Sequence, residues 1–305
     1  MGRILVTGAS GFVGSCVARR LLERGHQVAA LSRGASPRRL EGLGPGLTLL
    51  RGDLALPAAL EPALAAFKPD AVVHAAWGAV QAGARDDPAQ AENVGQARAL
   101  MALAAGLGAR HFVGLGSQAE YGPREGPVAE DTPLAPATRY GQAKVQAAQA
   151  LAEGARRDGL AFSWLRLYAC YGPGDDPRWV LQAVIRGLLR GERPRLTACE
   201  QRWDYLYGMD AASAVAAVLE RGAAGTFNLG SGRAEALRRT VERVRDLIDP
   251  SLPVEFGALP YPPGQPMHLQ ADIGRLTTAT GWKPETPLDL GLARTIDAVK
   301  RETAA

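Results

Sequence analysis

The sequence predicts an α/β protein built on a doubly wound parallel sheet, with a smaller α/β unit following it. Short apolar runs alternate with helical stretches through the first half of the chain, and a glycine-rich turn joins the first run to the first helix. Strands of a parallel sheet are buried on both faces and read as near-continuous apolar runs. After about residue 170, Pro and Gly become dense and the alternation fades, which predicts a smaller, loop-rich region there.

The elements of the first half follow one another in a regular order. RILVTG is a predicted strand, and GFVGSCVARRLLERG a predicted helix that stops at Gly25. The next predicted strands are QVAALSR, LTLLRGDL, AVVHAAW, HFVGLGS and AFSWLRLYAC, with helical patterns in NVGQARALMALAAGLG and YGQAKVQAAQALAEGARRDG. We expect a cofactor-binding domain at residues 1–168 and a substrate domain at 169–305, with part of about 204–230 returning to the first.

Composition narrows the classes of protein. The chain has 305 residues, 47% of them hydrophobic, and a formal net charge of +4 with dispersed arginines. These values favour a globular protein with a small anionic ligand, and we expect no nucleic-acid or membrane partner. Three cysteines, Cys16, Cys170 and Cys199, show no metal-ligand spacing. We therefore expect a reduced, cytoplasmic protein without a metal.

The glycine-rich turn lies at residues 8–14, GASGFVG. Glycines are needed where the chain turns tightly and where backbone approaches a pyrophosphate, and the following helix offers free N–H groups to the anion. This strand, turn and helix form the cofactor site of the Rossmann-type fold. The residues predicted to contact a dinucleotide here are Gly8, Ser10, Gly11, Phe12, Val13 and Gly14.

Further motifs in order along the chain resemble the extended short-chain dehydrogenase/reductase family, in its nucleotide-sugar branch. They begin with TGASGFVG and continue through Asp53-Leu54, HAAW at 74–77, GSQAEYG at 116–122, Tyr140 and Lys144, YGPG at 171–174 and FNLGSG at 227–232. The resemblance covers essentially the whole chain. It implies cofactor contacts from Asp53, Leu54, Ala75, Ala76, Asn93, Tyr140 and Lys144, and a homodimer.

Tyr140 and Lys144 are the predicted catalytic pair, and Ser117 is the third member. The chain has only four lysines, and positions four apart share one face of a helix, so Lys144 is expected beside Tyr140. An adjacent ammonium, together with the cationic nicotinamide of the cofactor, would favour the phenolate and bring the pKa of the tyrosine towards neutrality. Ser117 would hydrogen-bond the same substrate oxygen.

The end of the second predicted strand bears on the choice of cofactor. An NAD enzyme commonly places an acidic residue there to bind the ribose hydroxyls, but this chain has Ser32 followed by Arg33. An arginine pairs well with a 2′-phosphate, so NADP(H) is expected. An alternative for Arg33, and more so for Arg38 and Arg39, is a solvated loop.

The resemblance also bears on the reaction. Sugar dehydratases of the family follow the catalytic Ser or Thr with Asp and Glu, whereas this chain has Gln118 and Ala119. What remains is hydride chemistry at a carbonyl or carbinol. We expect NADPH-dependent reduction of a nucleoside-diphosphate 4-keto-6-deoxyhexose, as in dTDP-fucose- or CDP-abequose-forming ketoreductases. The alternatives are a nucleotide-sugar 4-epimerase and, more remotely, a non-catalytic dinucleotide-binding regulator.

The predicted substrate contacts depart from the family pattern at two points. Trp203 stands where most relatives have an arginine for the pyrophosphate, with Arg202 one residue earlier, and Ala169 replaces an asparagine. A dTDP-, CDP- or GDP-linked sugar is expected. Its predicted contacts are Ser117, Gln118, Tyr168, Ala169, Arg202 and Trp203.

Overall fold

The computed structural model describes residues 1–34, 38–80 and 82–304. Within these ranges the strands are β1 (Arg3–Thr7), β2 (Gln27–Ser32), β3 (Leu47–Arg51), β4 (Ala71–His74), β5 (His111–Ser117), β6 (Ala161–Leu167), β7 (Ala169–Tyr171), β8 (Arg202–Tyr207), β9 (Gly225–Leu229), β10 (Ala234–Ala236) and β11 (His268–Leu269). The helices are α1 (Phe12–Glu23), α2 (Pro57–Phe67), α3 (Gln90–Gly106), α4 (Arg139–Asp158), α5 (Val180–Leu189), α6 (Gly208–Arg221), α7 (Leu237–Ile248), α8 (Gly274–Thr280) and α9 (Leu288–Ala304).

Seven strands form a parallel sheet in the order β3-β2-β1-β4-β5-β6-β9. The order reverses between β1 and β4, and ligands of open α/β sheets bind outside the carboxyl ends of the strands at such a point. Thr7 at the end of β1 pairs with His74 at the end of β4, and Ser117 ends β5 in the same direction. The predicted Rossmann-type fold is confirmed.

Helices cover both faces of this sheet because side chains of each strand alternate between the two sides. In β1, Val6 packs into the core formed with α1 and α6, while Leu5 packs into the core formed with α2, α3 and α4. Burying the apolar side chains of both faces fixes the strand ends, and therefore the polar side chains beyond them, in a rigid frame.

Strand β5 makes room for one large side chain, Trp164 of β6. A Cβ at Gly114 would lie 2.5 Å from the Trp164 ring, and one at Gly116 would lie 2.3 Å from its Nε1. The indole is fully buried and fills the space that two side chains of β5 would take. Glycine is therefore required at both positions for the sheet to accept this ring.

A second, smaller sheet places β8 between β10 and β11, with β7 also pairing to β8. The region after residue 170 contains more helix than we predicted, namely α5 to α9. In α7, for example, Leu237, Val241 and Val244 are buried at helical spacing, and the surrounding proline- and glycine-rich stretches obscured that pattern.

Part of the carboxyl-terminal half belongs to the large sheet. Strand β9 forms its edge beside β6, and α6 packs against α1. The domain limits at residues 168 and 169 stay a prediction. No helix in the described part of the chain has the length and apolarity needed to cross a bilayer.

Candidate active site

The glycine turn between β1 and α1 is shaped by close backbone contacts. Gly8 has a φ of +66°, and a Cβ there would lie 2.6 Å from the backbone nitrogen of Ala76. A Cβ at Gly14 would lie 2.2 Å from the carbonyl oxygen of Gly8. Larger residues are excluded at both places, since real Cβ contacts are not this short.

The first turn of α1 is suited to an anion. Its N-cap, Gly11, provides no side-chain cap, and the turn contains no acidic residue. The free N–H groups and the positive end of the helix dipole therefore face the turn without competition from a carboxylate. These features fit the pyrophosphate of a dinucleotide, which Gly8, Ser10, Gly11, Phe12, Val13 and Gly14 would hold.

The region expected to bind the adenosine ribose lies at the end of β2. Ser32 is buried and its hydroxyl accepts a hydrogen bond of 3.2 Å from the Gly34 amide, whereas the Arg33 side chain is exposed. Arg39 is engaged elsewhere: its guanidinium donates to the carbonyl oxygens of Gly174 at 2.8 Å and Ser10 at 3.0 Å. Only Arg33 of these two arginines is therefore available for a phosphate.

Asp53 and Leu54, predicted to lie against the adenine, follow β3. The Asp53 carboxylate accepts a 3.0 Å hydrogen bond from the Ala55 amide, which fixes the turn into α2. Both residues remain partly exposed.

The loop after β4 is tied to its surroundings by buried polar groups. The Asn93 side-chain oxygen accepts a 2.7 Å hydrogen bond from the Gly78 amide, and Thr7 Oγ1 accepts one of 3.3 Å from Ala76. Thr7 also hydrogen-bonds His74 at 2.9 Å, and burial lowers the pKa of that imidazole to about 3. His74 is therefore neutral and structural. Asn93 orients the loop carrying Ala75 and Ala76, the two predicted cofactor contacts.

Ser117, Tyr140 and Lys144 are brought together at the carboxyl edge of the sheet. Ser117 ends β5, and its side chain is near enough to the Tyr140 phenol to favour a lower pKa of that group. Thr138 caps α4 by accepting a 3.2 Å hydrogen bond from the Gly141 amide, which places Tyr140 in the first turn. Lys144 lies one turn later and is buried.

Among the described residues, the hydrogen-bond partner of Lys144 is a backbone carbonyl and not the phenol. Its Nζ donates a 2.6 Å hydrogen bond to the Leu115 carbonyl and lies 3.6 Å from the centre of the Trp77 ring, but 5.8 Å from the centre of the Tyr140 ring. Burial lowers the pKa of Lys144 to about 7, against an opposing effect of Glu120. The ammonium is therefore easily lost near neutral pH.

Burial has the largest effect on the Tyr140 phenol. It raises the pKa of Tyr140, and the Glu120 carboxylate adds to the rise. The Ser117 side chain and the positive charge of Arg85 oppose it. The sequence did not indicate how strongly this pocket desolvates both the phenol and the amine.

Glu120 is fully buried and supports the site through hydrogen bonds to its carboxylate. Its Oε1 accepts hydrogen bonds from the Ser117 amide at 2.8 Å and Trp164 Nε1 at 2.9 Å, and its Oε2 accepts one of 2.8 Å from Arg166 Nε. Arg166 in turn donates to the Tyr121 hydroxyl at 2.8 Å. This network fixes the Ser117 backbone and places a negative charge near Lys144.

Sequence reasoning missed three residues that lie near Tyr140, namely Trp77, Arg85 and Glu120. Trp77 meets the Tyr140 ring edge to face at 6.3 Å, and the Arg85 guanidinium lies 5.5 Å from the centre of that ring. Trp77 and Arg85 occupy an irregular loop, where no periodic pattern indicates position. Only Glu120 left a signal, since Ser117 followed three residues later by Glu is a capping box.

The predicted substrate contacts lie at or just after the ends of β5 and β6 and on the paired strands β7 and β8. Gln118 directly follows Ser117, and the Tyr168 hydroxyl is buried without a partner among the described residues. Trp203 on β8 donates from Nε1 to the Pro266 carbonyl at 3.0 Å and is half-buried. Arg202 is exposed and donates to the Ala234 carbonyl at 3.0 Å. Ala169, at the start of β7, is half-buried.

The model of the NAD dependent epimerase/dehydratase family matches residues 4–230, which include the glycine turn, Ser117, Tyr140 and Lys144. The chain belongs to this family. Apart from Arg3, the large sheet of this epimerase/dehydratase family protein lies within the matched segment.

Two relatives of equal identity differ in the activity that their names give. The protein is 30% identical to the UDP-glucose 4-epimerase of Corynebacterium glutamicum, over 93% of this chain and 91% of the relative. It is also 30% identical to the dTDP-6-deoxy-L-talose 4-dehydrogenase (NAD(P)(+)) of Kitasatospora kifunensis, over 94% of this chain and 92% of the relative.

Solved structures of the family superpose along the whole chain. The UDP-glucose 4-epimerase of Thermotoga maritima with UDP-glucose gives a TM-score of 0.90 at 25% identity, over 99% of both chains. The UDP-glucose 4-epimerase of Thermus thermophilus with NAD gives 0.87 at 27% identity, over 98% of this chain and 99% of that one.

Proposed function

We propose that the protein exchanges hydride at C4 of a nucleoside-diphosphate sugar, and that it acts as a 4-epimerase through a transient 4-keto sugar. The observation that carries this proposal is the placement of Ser117, Tyr140 and Lys144 together at the carboxyl edge of the sheet, where the loop after β4 abuts the glycine turn. The similarity to UDP-glucose 4-epimerases supports epimerisation over the net reduction expected from the sequence.

When bound, a nicotinamide dinucleotide supplies the hydride chemistry, and the proton steps fall to this chain. The Ser117 hydroxyl orients the C4 oxygen of the sugar. The Tyr140 phenolate would take the proton from the C4 hydroxyl and, once protonated, would return it to the C4 oxygen of the ketone. Lys144 would hydrogen-bond the nicotinamide ribose, the role that the family resemblance implies.

A second candidate function is net reduction of a nucleoside-diphosphate 4-keto-6-deoxyhexose with NADPH. The absence of an acidic side chain at Ser32 and the exposed guanidinium of Arg33 favour it. The printed name of the Kitasatospora relative, a 4-dehydrogenase using NAD(P)(+), points the same way. The two candidates share the same roles for Ser117 and Tyr140.

One set of incubations separates them. UDP-, dTDP-, CDP- and GDP-hexoses are incubated with the protein and a trace of NAD⁺, and a dTDP-4-keto-6-deoxyhexose with NADPH or NADH. Isomerisation without net change in cofactor supports the epimerase, and one NADPH consumed per keto sugar supports the reductase. Tyr140→Phe is the matched control, expected to lower turnover by about 10²- to 10⁴-fold while keeping cofactor binding. No turnover of any sugar nucleotide would overturn both.

A further inference from the structure

The loop bearing Arg85 is fastened to the start of α4. The Tyr140 amide donates a 2.8 Å hydrogen bond to the Arg85 carbonyl. The Arg139 amide donates one of 3.0 Å to the carboxylate of Asp86. These two contacts hold Arg85 and Tyr140 at a fixed separation, although they are far apart in the sequence.

The Arg85 side chain is also directed at the phenol. Its guanidinium carbon lies 5.5 Å from the centre of the Tyr140 ring, and its Nε is buried without a hydrogen-bond partner among the described residues. A cation with an unsatisfied buried donor, held over the ring by backbone contacts, exerts its charge on the phenol in a partly desolvated place.

We propose that Arg85 is a positioning residue of this site, whose guanidinium adds a permanent positive charge that favours the phenolate of Tyr140. Lys144 is held by the Leu115 carbonyl and the Trp77 ring. In this arrangement the two cations have different roles. The Arg85 guanidinium acts on the phenol, and the Lys144 ammonium remains available to the cofactor.

Three charged or titratable groups face Tyr140 from the surrounding elements: Arg85 from the loop after β4, Lys144 from α4 itself and Glu120 from the turn after β5. Glu120 opposes ionisation of the phenol, and Lys144 loses much of its charge near neutral pH because burial lowers its pKa to about 7. Arginine keeps its charge throughout this range. It is the permanent positive charge in this group of three.

The first test is a direct titration of the phenol, which does not depend on the proposed function. The ultraviolet absorbance of phenolate is recorded for the full chain minus that of Tyr140→Phe, at pH values below alkaline unfolding as located by circular dichroism. Arg85→Gln is expected to contain about tenfold less Tyr140 phenolate at a given pH, a shift of about one pH unit. Arg85→Lys is expected to restore most of it.

Arg139→Gln is the matched control, because this neighbouring arginine is exposed and contacts the loop through its backbone amide. It is expected to titrate like the unchanged protein. An unaltered phenolate fraction in Arg85→Gln, or an equal loss in Arg139→Gln, would overturn the inference. For the kinetic consequence, which rests on the proposed function, the acid limb of the pH profile of turnover should move upward by about one unit in Arg85→Gln.

Discussion

Glu120 and Asp204 are both fully buried carboxylates, yet they are held in different ways. Glu120, beside the candidate active site, accepts one of its hydrogen bonds from the cation Arg166. Asp204, on β8 of the small sheet, accepts from donors that are all neutral within the described part of the chain, namely the amide and hydroxyl of Ser231 and the amides of Gly232 and Ala271.

This difference separates an electrostatic role from a structural one. Burial raises the pKa of Asp204, and its hydrogen bonds oppose the rise without removing it. The Asp204 carboxylate joins the loop after β9 and residue 271 to β8. The Glu120 carboxylate compensates a buried guanidinium, orients Ser117 and acts on Lys144 and Tyr140. A charge with a buried counter-ion can serve the chemistry, whereas one held by amides mainly organises the chain.

The largest effect is expected for Glu120→Gln, which leaves the buried Arg166 guanidinium without its counter-ion. We expect the free energy of unfolding to fall by about 3–5 kcal/mol, measured by urea denaturation near neutral pH. A loss below about 1 kcal/mol would show that water or Tyr121 compensates the guanidinium. Glu153→Gln, on the exposed face of α4, is the control and should stay near the unchanged protein.

Asp204→Asn is expected to have a smaller effect, because no buried cation loses its partner. The side-chain NH₂ of asparagine is a donor and would face backbone N–H groups that now donate to the carboxylate. We therefore expect the free energy of unfolding to fall by about 2 kcal/mol. The same urea titration measures it, with the exposed Asp246→Asn as control. If Asp204→Asn proved more destabilising than Glu120→Gln, the distinction drawn between the two carboxylates would be wrong.

Lys144 gives a pH dependence that tests the electrostatic role of its neighbourhood. Burial lowers its pKa from 10.5 to about 7, so between these values the unfolded chain binds more protons than the folded one. Stability should therefore rise with pH across this interval, by at most about 1.4 kcal/mol per pH unit. Stability curves of the unchanged protein and Lys144→Met isolate the effect. Parallel curves would mean that Lys144 keeps its charge when folded.

The smallest effect on stability is expected at Arg33, whose side chain is exposed. Arg33→Ala should change the free energy of unfolding by less than about 0.5 kcal/mol. If Arg33 pairs with a 2′-phosphate, the same variant should weaken NADPH binding about tenfold relative to NADH. Isothermal titration with each coenzyme measures the ratio. An unchanged ratio would assign Arg33 to solvent and favour NAD(H).

The regular alternation of strands and helices was the most predictable feature of the molecule. Alternating strands and helices indicated the parallel sheet, whereas the family resemblance, and not periodicity, indicated that Ser117 and Tyr140 belong to one site. Arg85 and Trp77 could not be foreseen, because a loop gives no periodicity and their position depends on contacts with α4. Nor could the orientation of Lys144, since helical spacing fixes the face of a residue but not which of two neighbours its side chain contacts.

The indole of Trp164 links the interior of the sheet to the chemistry. The ring occupies the space left by Gly114 and Gly116, and its nitrogen donates to the carboxylate that holds Ser117. A disturbance of the packing deep in the sheet therefore reaches Ser117 through the Trp164 indole and the Glu120 carboxylate. Heat or denaturant that loosens the packing around this ring should displace Ser117 before the strands themselves separate.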